Sequence, residues 1–362
     1  MMPYKLNQIY FYLTEGCNLS CRHCWINPKY QDKDTSYPSL SFGDFKSIID
    51  QAKPLGLTGV KLTGGEPLIH PQIERILEYI RQEGLRLTVE TNGVACTPGL
   101  ARAISLCKNP FVSVSIDSTE DELHDFIRGL KGALLKAKAG ARNLVNAGLK
   151  PQIIMAVMRC NKDGLRDVAR FAESIGAGSV KFNIVQPTAR GEEMDKKGET
   201  LSLEELIDLG AWIEKTLSKE TKIRIYHSHP MAFRPLGRMF AENGSCGVCA
   251  ILNIIGVLGN GSYALCGIGE SVPELVFGHV SRDRLADVWK DTPILNELRE
   301  GLPKRLKGIC AECVLKNRCL GHCVAQNYYK DKELWAPYWY CDKAYKKGLF
   351  PINRLLQKEV FA

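Results

Sequence analysis

The stretch TEGCNLSCRHCW, residues 14–25, sets Cys17, Cys21 and Cys24 at steps of four and three, with His23 before the last thiol. It follows QIYFYL, residues 8–13, whose β-branched and aromatic residues read as a strand. The N-terminus MMPYKLNQIYFYL has neither a sustained apolar core nor a small-residue cleavage site. The chain therefore reads as cytoplasmic, where clustered thiols bind metal or do redox chemistry more often than they pair as disulfides. A structural zinc site closes with four ligands, and after Cys24 the next cysteine is Cys96. His23 is the alternative fourth zinc ligand. A cubane iron–sulfur cluster on three thiolates accounts better for the count, because it leaves one iron open to a substrate or cofactor.

Outward from this loop, short β-branched runs alternate with amphipathic ones as far as residue 185. Strands are predicted at QIYFYL, GVKLTGG, LRLTVETN, FVSVSID, PQIIMAVM and SVKFNIV, and helices near 41–53, 71–83, 98–106, 120–147 and 163–176. Such alternation predicts βαβ units on a parallel sheet. The fold class is α/β: a partial (β/α)6 TIM-like barrel, followed by a C-terminal cysteine-rich iron–sulfur domain. On such a sheet chemistry sits at the C-terminal strand ends, where Cys17, Gly64 to Pro67, Asn92 and Asp117 fall. The expected divisions are a barrel over 1–190, a connector with a helix near 202–219 over 191–240, the cysteine-rich domain over 241–345, and a tail over 346–362.

The 362 residues are 45% hydrophobic, enough for a large core. The formal charge of +8 is spread through the chain rather than gathered in a nucleic-acid-binding stripe. No apolar run approaches about 20 residues, so no membrane-spanning helix is predicted.

The three-cysteine loop resembles the radical S-adenosylmethionine superfamily, whose signature is CxxxCxxC after the first barrel strand. The resemblance implies a [4Fe–4S] cluster on Cys17, Cys21 and Cys24, with S-adenosylmethionine chelating the open iron and being cleaved to a 5'-deoxyadenosyl radical. His23 fills the aromatic place before the third cysteine. TGGEP, residues 63–67, resembles the family's GGEP motif, which holds the methionyl amine. Here Gly64 and Gly65 admit close backbone approach, Glu66 offers a carboxylate to an ammonium, and Pro67 stiffens the turn. Asn92, in TNG, ends the third strand with a polar group at the mouth of the sheet. Ser115 and Asp117, in SIDS, resemble the ribose-binding positions, and Arg128, in HDFIRG with His124, resembles the arginine presented to the cofactor carboxylate.

Eight of the fourteen cysteines lie between Cys246 and Cys341. CAECVLKNRCLGHC, residues 310–323, with Cys341 behind it and Cys246, Cys249 and GSYALC before it, resembles the SPASM domain. That resemblance implies two auxiliary [4Fe–4S] clusters with crossed ligation: Cys246, Cys249, Cys266 and Cys323 on one, Cys310, Cys313, Cys319 and Cys341 on the other. Zinc ribbons use similar CxxC pairs and are the alternative. Cys96, Cys107 and Cys160, beside apolar segments, read as small buried thiols. HSHP, 227–230, reads as structural or substrate-facing, and the aromatic LWAPYWYC, 334–341, as packing around the cluster, with a substrate groove as the alternative.

An iron–sulfur relay after hydrogen abstraction implies an oxidation. The first reading is a maturase that cross-links side chains of a ribosomally made peptide; the alternative is a tailoring enzyme acting on a haem precursor or another small molecule. Sulfatase maturation asks for an aspartate after Cys266, where Gly267 stands. A cluster motif starting at Cys17 leaves no room for a leader-binding segment ahead of it, which implies a separate leader-binding protein or a small substrate. A reducing partner such as flavodoxin or ferredoxin is implied as well. No residue declares itself as catalytic acid or base.

Overall fold

Lys61, Thr63, Thr88, Glu90, Lys181 and Asn183 alternate along their strands with fully buried apolar residues such as Val60, Leu62, Val89 and Phe182. Strands patterned in this way put an apolar face under helices and a polar face elsewhere. The computed structural model describes residues 4–235, 237 and 249–356, and shows where that polar face goes. The six predicted strands are present as β1 (Gln8–Tyr12), β2 (Gly59–Thr63), β3 (Arg86–Thr91), β4 (Lys108–Ser115), β5 (Gln152–Val157) and β6 (Ser179–Ile184). They lie side by side, all parallel and in chain order. Their apolar sides pack beneath α1 (Phe42–Ala52), α2 (Ile73–Gln82), α3 (Pro98–Ser105), α4 (Asp121–Arg128), α5 (Ala133–Asn146) and α6 (Leu165–Ser174). This is the α/β partial barrel expected, and its half-buried polar face is the lumen.

Sheet and sequence differ in three places. The single helix predicted over 120–147 is two, α4 and α5, separated by Gly129 and Gly132 at φ 72° and 78°. The helix near 202–219 runs as α8 (Leu203–Trp212), after α7 (Arg190–Lys196), and then widens into a π-helical turn at Ile213–Leu217. The sheet also continues past the predicted barrel. β7 (Arg224–His227) adds parallel to β6, and β8 (Ile254–Val257) adds parallel to the far side of β1, followed by antiparallel β9 (Ser262–Ala264) and β10 (Val276–His279). All four residues of β8 are buried, so it carries no alternation for a periodicity reading to detect. One apolar cluster runs from Leu6 to Phe350 through both halves of the chain. Cys96 and Cys107 are buried in it, whereas Cys160 is exposed in a turn, contrary to the reading of a buried thiol.

Candidate cofactor site

The loop after β1 is held in place by two neighbours. The first is the turn after β2: Gly65 N–H donates to the Thr14 carbonyl (3.0 Å) and Glu66 N–H to that of Gly16 (3.1 Å). A Cβ on Gly65 would stand 1.8 Å from the Gly16 oxygen, so only glycine allows this approach. The second is the C-terminus of α4, whose last carbonyls have no partner within the helix. Ser20 N–H donates to Arg128 O (3.1 Å) and Arg22 N–H to Ile127 O (3.0 Å). Gly129 makes this docking possible, since its φ is 72° and a Cβ there would lie 2.6 Å from Ser20 O.

These contacts bring Cys17, Cys21 and Cys24 onto the wall of a ≈ 340 Å³ cavity at the C-terminal ends of the strands. The same wall carries His23, Gly65, Glu66, Asn92, Ser115 and Arg128, together with Lys61 and Glu90 from the lumen. Gly64, Pro67 and Asp117 stand behind it. Burial, then the neighbouring thiol of Cys21, and then Glu66 push Cys17 well above the ordinary thiol range; Cys21 is raised by burial, partly offset by Arg128. Thiols that resist ionising beside one another are relieved by positive charge placed between them. Arg128 Nη1 reaches Cys21 Sγ at 3.6 Å, and Asn92 Nδ2 lies 3.9 Å from Cys17 Sγ and 2.7 Å from Asn18 Oδ1.

The two carboxylates are both engaged within the protein. Glu66 is buried, and its oxygens already accept from Thr91 Oγ1 (2.6 Å), Asn92 N (2.8 Å) and Leu68 N (3.0 Å). Burial raises its carboxyl to about 7 against those donors. Asp117 is wholly buried, accepts from Ala156 N (2.9 Å), and faces Arg128 Nε at 2.8 Å. Burial alone would raise its carboxyl, but Arg128, His23, His124 and the Ala156 N–H together outweigh that and hold it below the ordinary range. Asp117 thus orients the arginine and does not line the cavity. His23 Nε2 is 3.7 Å from Asp117, and burial lowers His23 to about 4, so its ring is neutral. Asp117 Oδ2, Arg128 Nε and His23 Nδ1 are buried without a directional hydrogen bond. A three-thiol donor set beside the Arg128 guanidinium and the unpartnered His23 Nδ1 fits an iron–sulfur cluster with an amino-acid-bearing cofactor on it.

The C-terminal thiols gather into two groups that do not follow chain order. Cys249 is pushed to about 12 by burial and by Cys323, while burial, Cys323 and Cys249 raise Cys266. Cys310, Cys313, Cys319 and Cys341 line one cavity. Burial and Cys310 bring Cys319 to about 12, and burial followed by Cys310, Cys319 and Cys313 raises Cys341. Cys246 lies outside the described residues. Tyr338, which no motif marked, is buried between the groups: its N–H donates to Cys310 Sγ (3.4 Å), and its ring lies 4.2 Å from that of His322, next to Cys323. His227 and His229 are buried, and His229 meets the Tyr340 hydroxyl at 2.5 Å, a packing role as read. Motif reading also missed Asn18, Thr91, Gly129 and Arg190, the last donating to Cys21 O (3.0 Å) and Pro28 O (3.2 Å). Only Gly129 left a trace, as a glycine closing a helical pattern.

A parallel partial barrel with a three-thiol loop and a cavity at its strand ends defines a class of cofactor-dependent enzyme. Residues 11–172 match the Radical SAM superfamily: the chain carries a Radical SAM domain and is an enzyme, with S-adenosylmethionine and a [4Fe–4S] cluster as its cofactors. Its relatives include an AdoMet-dependent heme synthase of Methanosarcina barkeri, 29% identical over 87% of this chain and 90% of that protein. The mycofactocin maturase MftC of Mycobacterium ulcerans is 26% identical over 92% and 87%. Streptococcus suis SuiB bound to precursor peptide SuiA has the same fold, with a TM-score of 0.72 at 17% identity over 93% of this chain and 76% of that one. So does anSMEcpe with bound AdoMet and the Kp18Cys peptide, at 0.69 and 18% identity over 95% of each.

Proposed function

We propose that this enzyme oxidatively modifies side chains of a ribosomally made peptide, forming a cross-link or a similar bond. The carrying observation is a second, larger cleft of ≈ 550 Å³ that shares Ile184 and Val185 with the cofactor cavity. A groove that adjoins a reaction chamber suits a peptide segment held beside the reacting atoms. Two similar proteins agree with this reading: SuiB, bound to precursor peptide SuiA, and the mycofactocin maturase MftC.

In this account Cys17, Cys21 and Cys24 hold the S-adenosylmethionine-binding cluster, and His23, Glu66, Asn92, Ser115 and Arg128 border the cofactor. Gly64, Gly65 and Pro67 shape the turn beside it, and Asp117 fixes Arg128. Given one electron by a flavodoxin or ferredoxin, a cluster on these thiols would pass it to S-adenosylmethionine, giving methionine and a 5'-deoxyadenosyl radical. Cys246, Cys249, Cys266 and Cys323, and separately Cys310, Cys313, Cys319 and Cys341, hold two auxiliary clusters that supply an electron acceptor. The setting is the reducing cytoplasm. The haem-precursor alternative draws on the Methanosarcina barkeri relative.

The test is co-expression with each short reading frame beside the gene, followed by mass spectrometry. The expected product is a peptide lighter by two hydrogens with wild type and unchanged with Cys17→Ala. Consumption of a haem precursor by the purified enzyme, with every peptide unmodified, would contradict the reading.

A further inference from the structure

We propose that the ≈ 550 Å³ cleft is a docking groove for an acidic segment of the substrate peptide, read by Lys330, Lys332 and Lys343. The inference rests on the peptide reading and adds to it the chemistry of the segment. The cleft opens where β5 and β6 end, between α7, α8 and the helices Val324–Asp331 and Trp339–Lys346. Its floor is apolar, with Val157, Leu201, Leu206 and Trp339, while its rim carries lysines from three separate elements.

The balance of charge at the rim decides the ligand. Two carboxylates line the cleft, and both are taken. Glu192 accepts from Tyr329 Oη (2.9 Å) and pairs with Lys196 (2.7 Å), and Asp195 accepts from Thr200 Oγ1 (2.6 Å). Lys330 and Lys343 have no carboxylate partner among the described residues, Lys343 lying 5.4 Å above the Trp339 ring. Lys332 reaches Glu274 only at 3.4 Å, in an exposed pair of the kind that contributes little. Lys332 also caps its helix at φ 52°, a left-handed position where glycine is the usual residue. A side chain held at the rim against that backbone cost points to use there.

The groove is also tied to the reaction chamber. Tyr329, on its C-terminal wall, holds Glu192 of α7, and Arg190 of the same helix donates to the carbonyls of Cys21 and Pro28 in the three-thiol loop. A segment seated on the apolar floor with its carboxylates toward the lysines therefore leads, past Ile184 and Val185, to the cofactor cavity. Single exposed charges discriminate weakly, so the reading asks for two or more acidic residues spaced by apolar ones.

The experiment uses the cluster-loaded, S-adenosylmethionine-bound enzyme and two fluorescein-labelled probes, a peptide alternating Glu with Leu and its Gln–Leu counterpart. Anisotropy titrations should show the Glu peptide binding about tenfold tighter or more, with the preference shrinking as salt rises. Lys330→Glu with Lys343→Glu should abolish that preference while leaving the melting temperature and S-adenosylmethionine affinity unchanged. Equal affinity for the two probes, or a preference that survives the charge reversal, overturns the groove. A precursor peptide modified equally well by the wild type and the double variant overturns the groove and leaves the peptide reading standing. Consumption of a haem precursor by the purified enzyme, with every peptide left unmodified, overturns both.

Discussion

Glu66 shows how far a motif reading reaches. The residues GGEP marked the right turn, and their context after the CxxxCxxC pointed at a cofactor, but the side chain's partners lie 25 and 26 positions away at Thr91 and Asn92, where spacing is silent. A carboxylate that already accepts three hydrogen bonds is first a tie between the turn after β2 and the end of β3, and only its remaining lone pair is available to an ammonium. Glu66→Ala should therefore destabilise the fold by on the order of 3 kcal/mol, because it strands buried N–H and O–H groups. It should lower cluster retention and S-adenosylmethionine affinity together. Glu66→Gln, which keeps an oxygen toward the backbone donors, should be milder in both. Urea unfolding, iron analysis and equilibrium binding check this; full stability with lost cofactor affinity would instead make the carboxylate a direct ligand of the ammonium. Asp117 carries the same lesson. Its place at a strand end was legible, but its commitment to Arg128 depends on α4 folding back over the sheet.

At the scale of elements, the legible parts were those with a period. β1 to β6 and most of α1 to α6 announced themselves by alternation or by helical spacing, and their order implied the parallel sheet. What stayed hidden were an element without a period, the fully buried β8, and a break whose cause lies elsewhere in the chain, between α4 and α5. That break exists because the carbonyls ending α4 serve the three-thiol loop. Gly129 and Gly132 flank it, and they make a controlled pair. Both are left-handed, so alanine costs roughly 1–2 kcal/mol of backbone strain at either. A Cβ at 132 meets nothing within 4 Å, whereas at 129 it meets the Ser20 carbonyl at 2.6 Å. Gly129→Ala should therefore lose additional stability and release iron from the N-terminal cluster, and Gly132→Ala should show the strain alone. Thermal melts with iron analysis distinguish them; equal iron loss in both would mean that the helix end does not hold the loop.

Across the whole molecule, ten of the fourteen cysteines fall into three spatial groups, one at the barrel mouth and two in the C-terminal half, with Cys246 outside the described residues. The pairing of Cys249 and Cys266 with Cys323, across more than fifty residues and past Cys310 to Cys319, followed from the resemblance and not from any local spacing. The relation of the barrel to the rest was harder to foresee, because β8 joins the C-terminal half to β1 in the same sheet and a single core underlies both. The large lysine-rimmed cleft was invisible in sequence for the same reason: its walls come from α7, α8 and two helices more than a hundred residues later. We propose that these thiols hold three cubane clusters. The direct measurement is iron and sulfide content after anaerobic reconstitution, in wild type and in a variant carrying Cys17→Ala, Cys21→Ala and Cys24→Ala. The account predicts about twelve irons and twelve sulfides in the wild type, four of each per cluster, and about eight in the variant. Saturation of the wild type near four irons, or zinc in place of iron in the C-terminal sites, would contradict it.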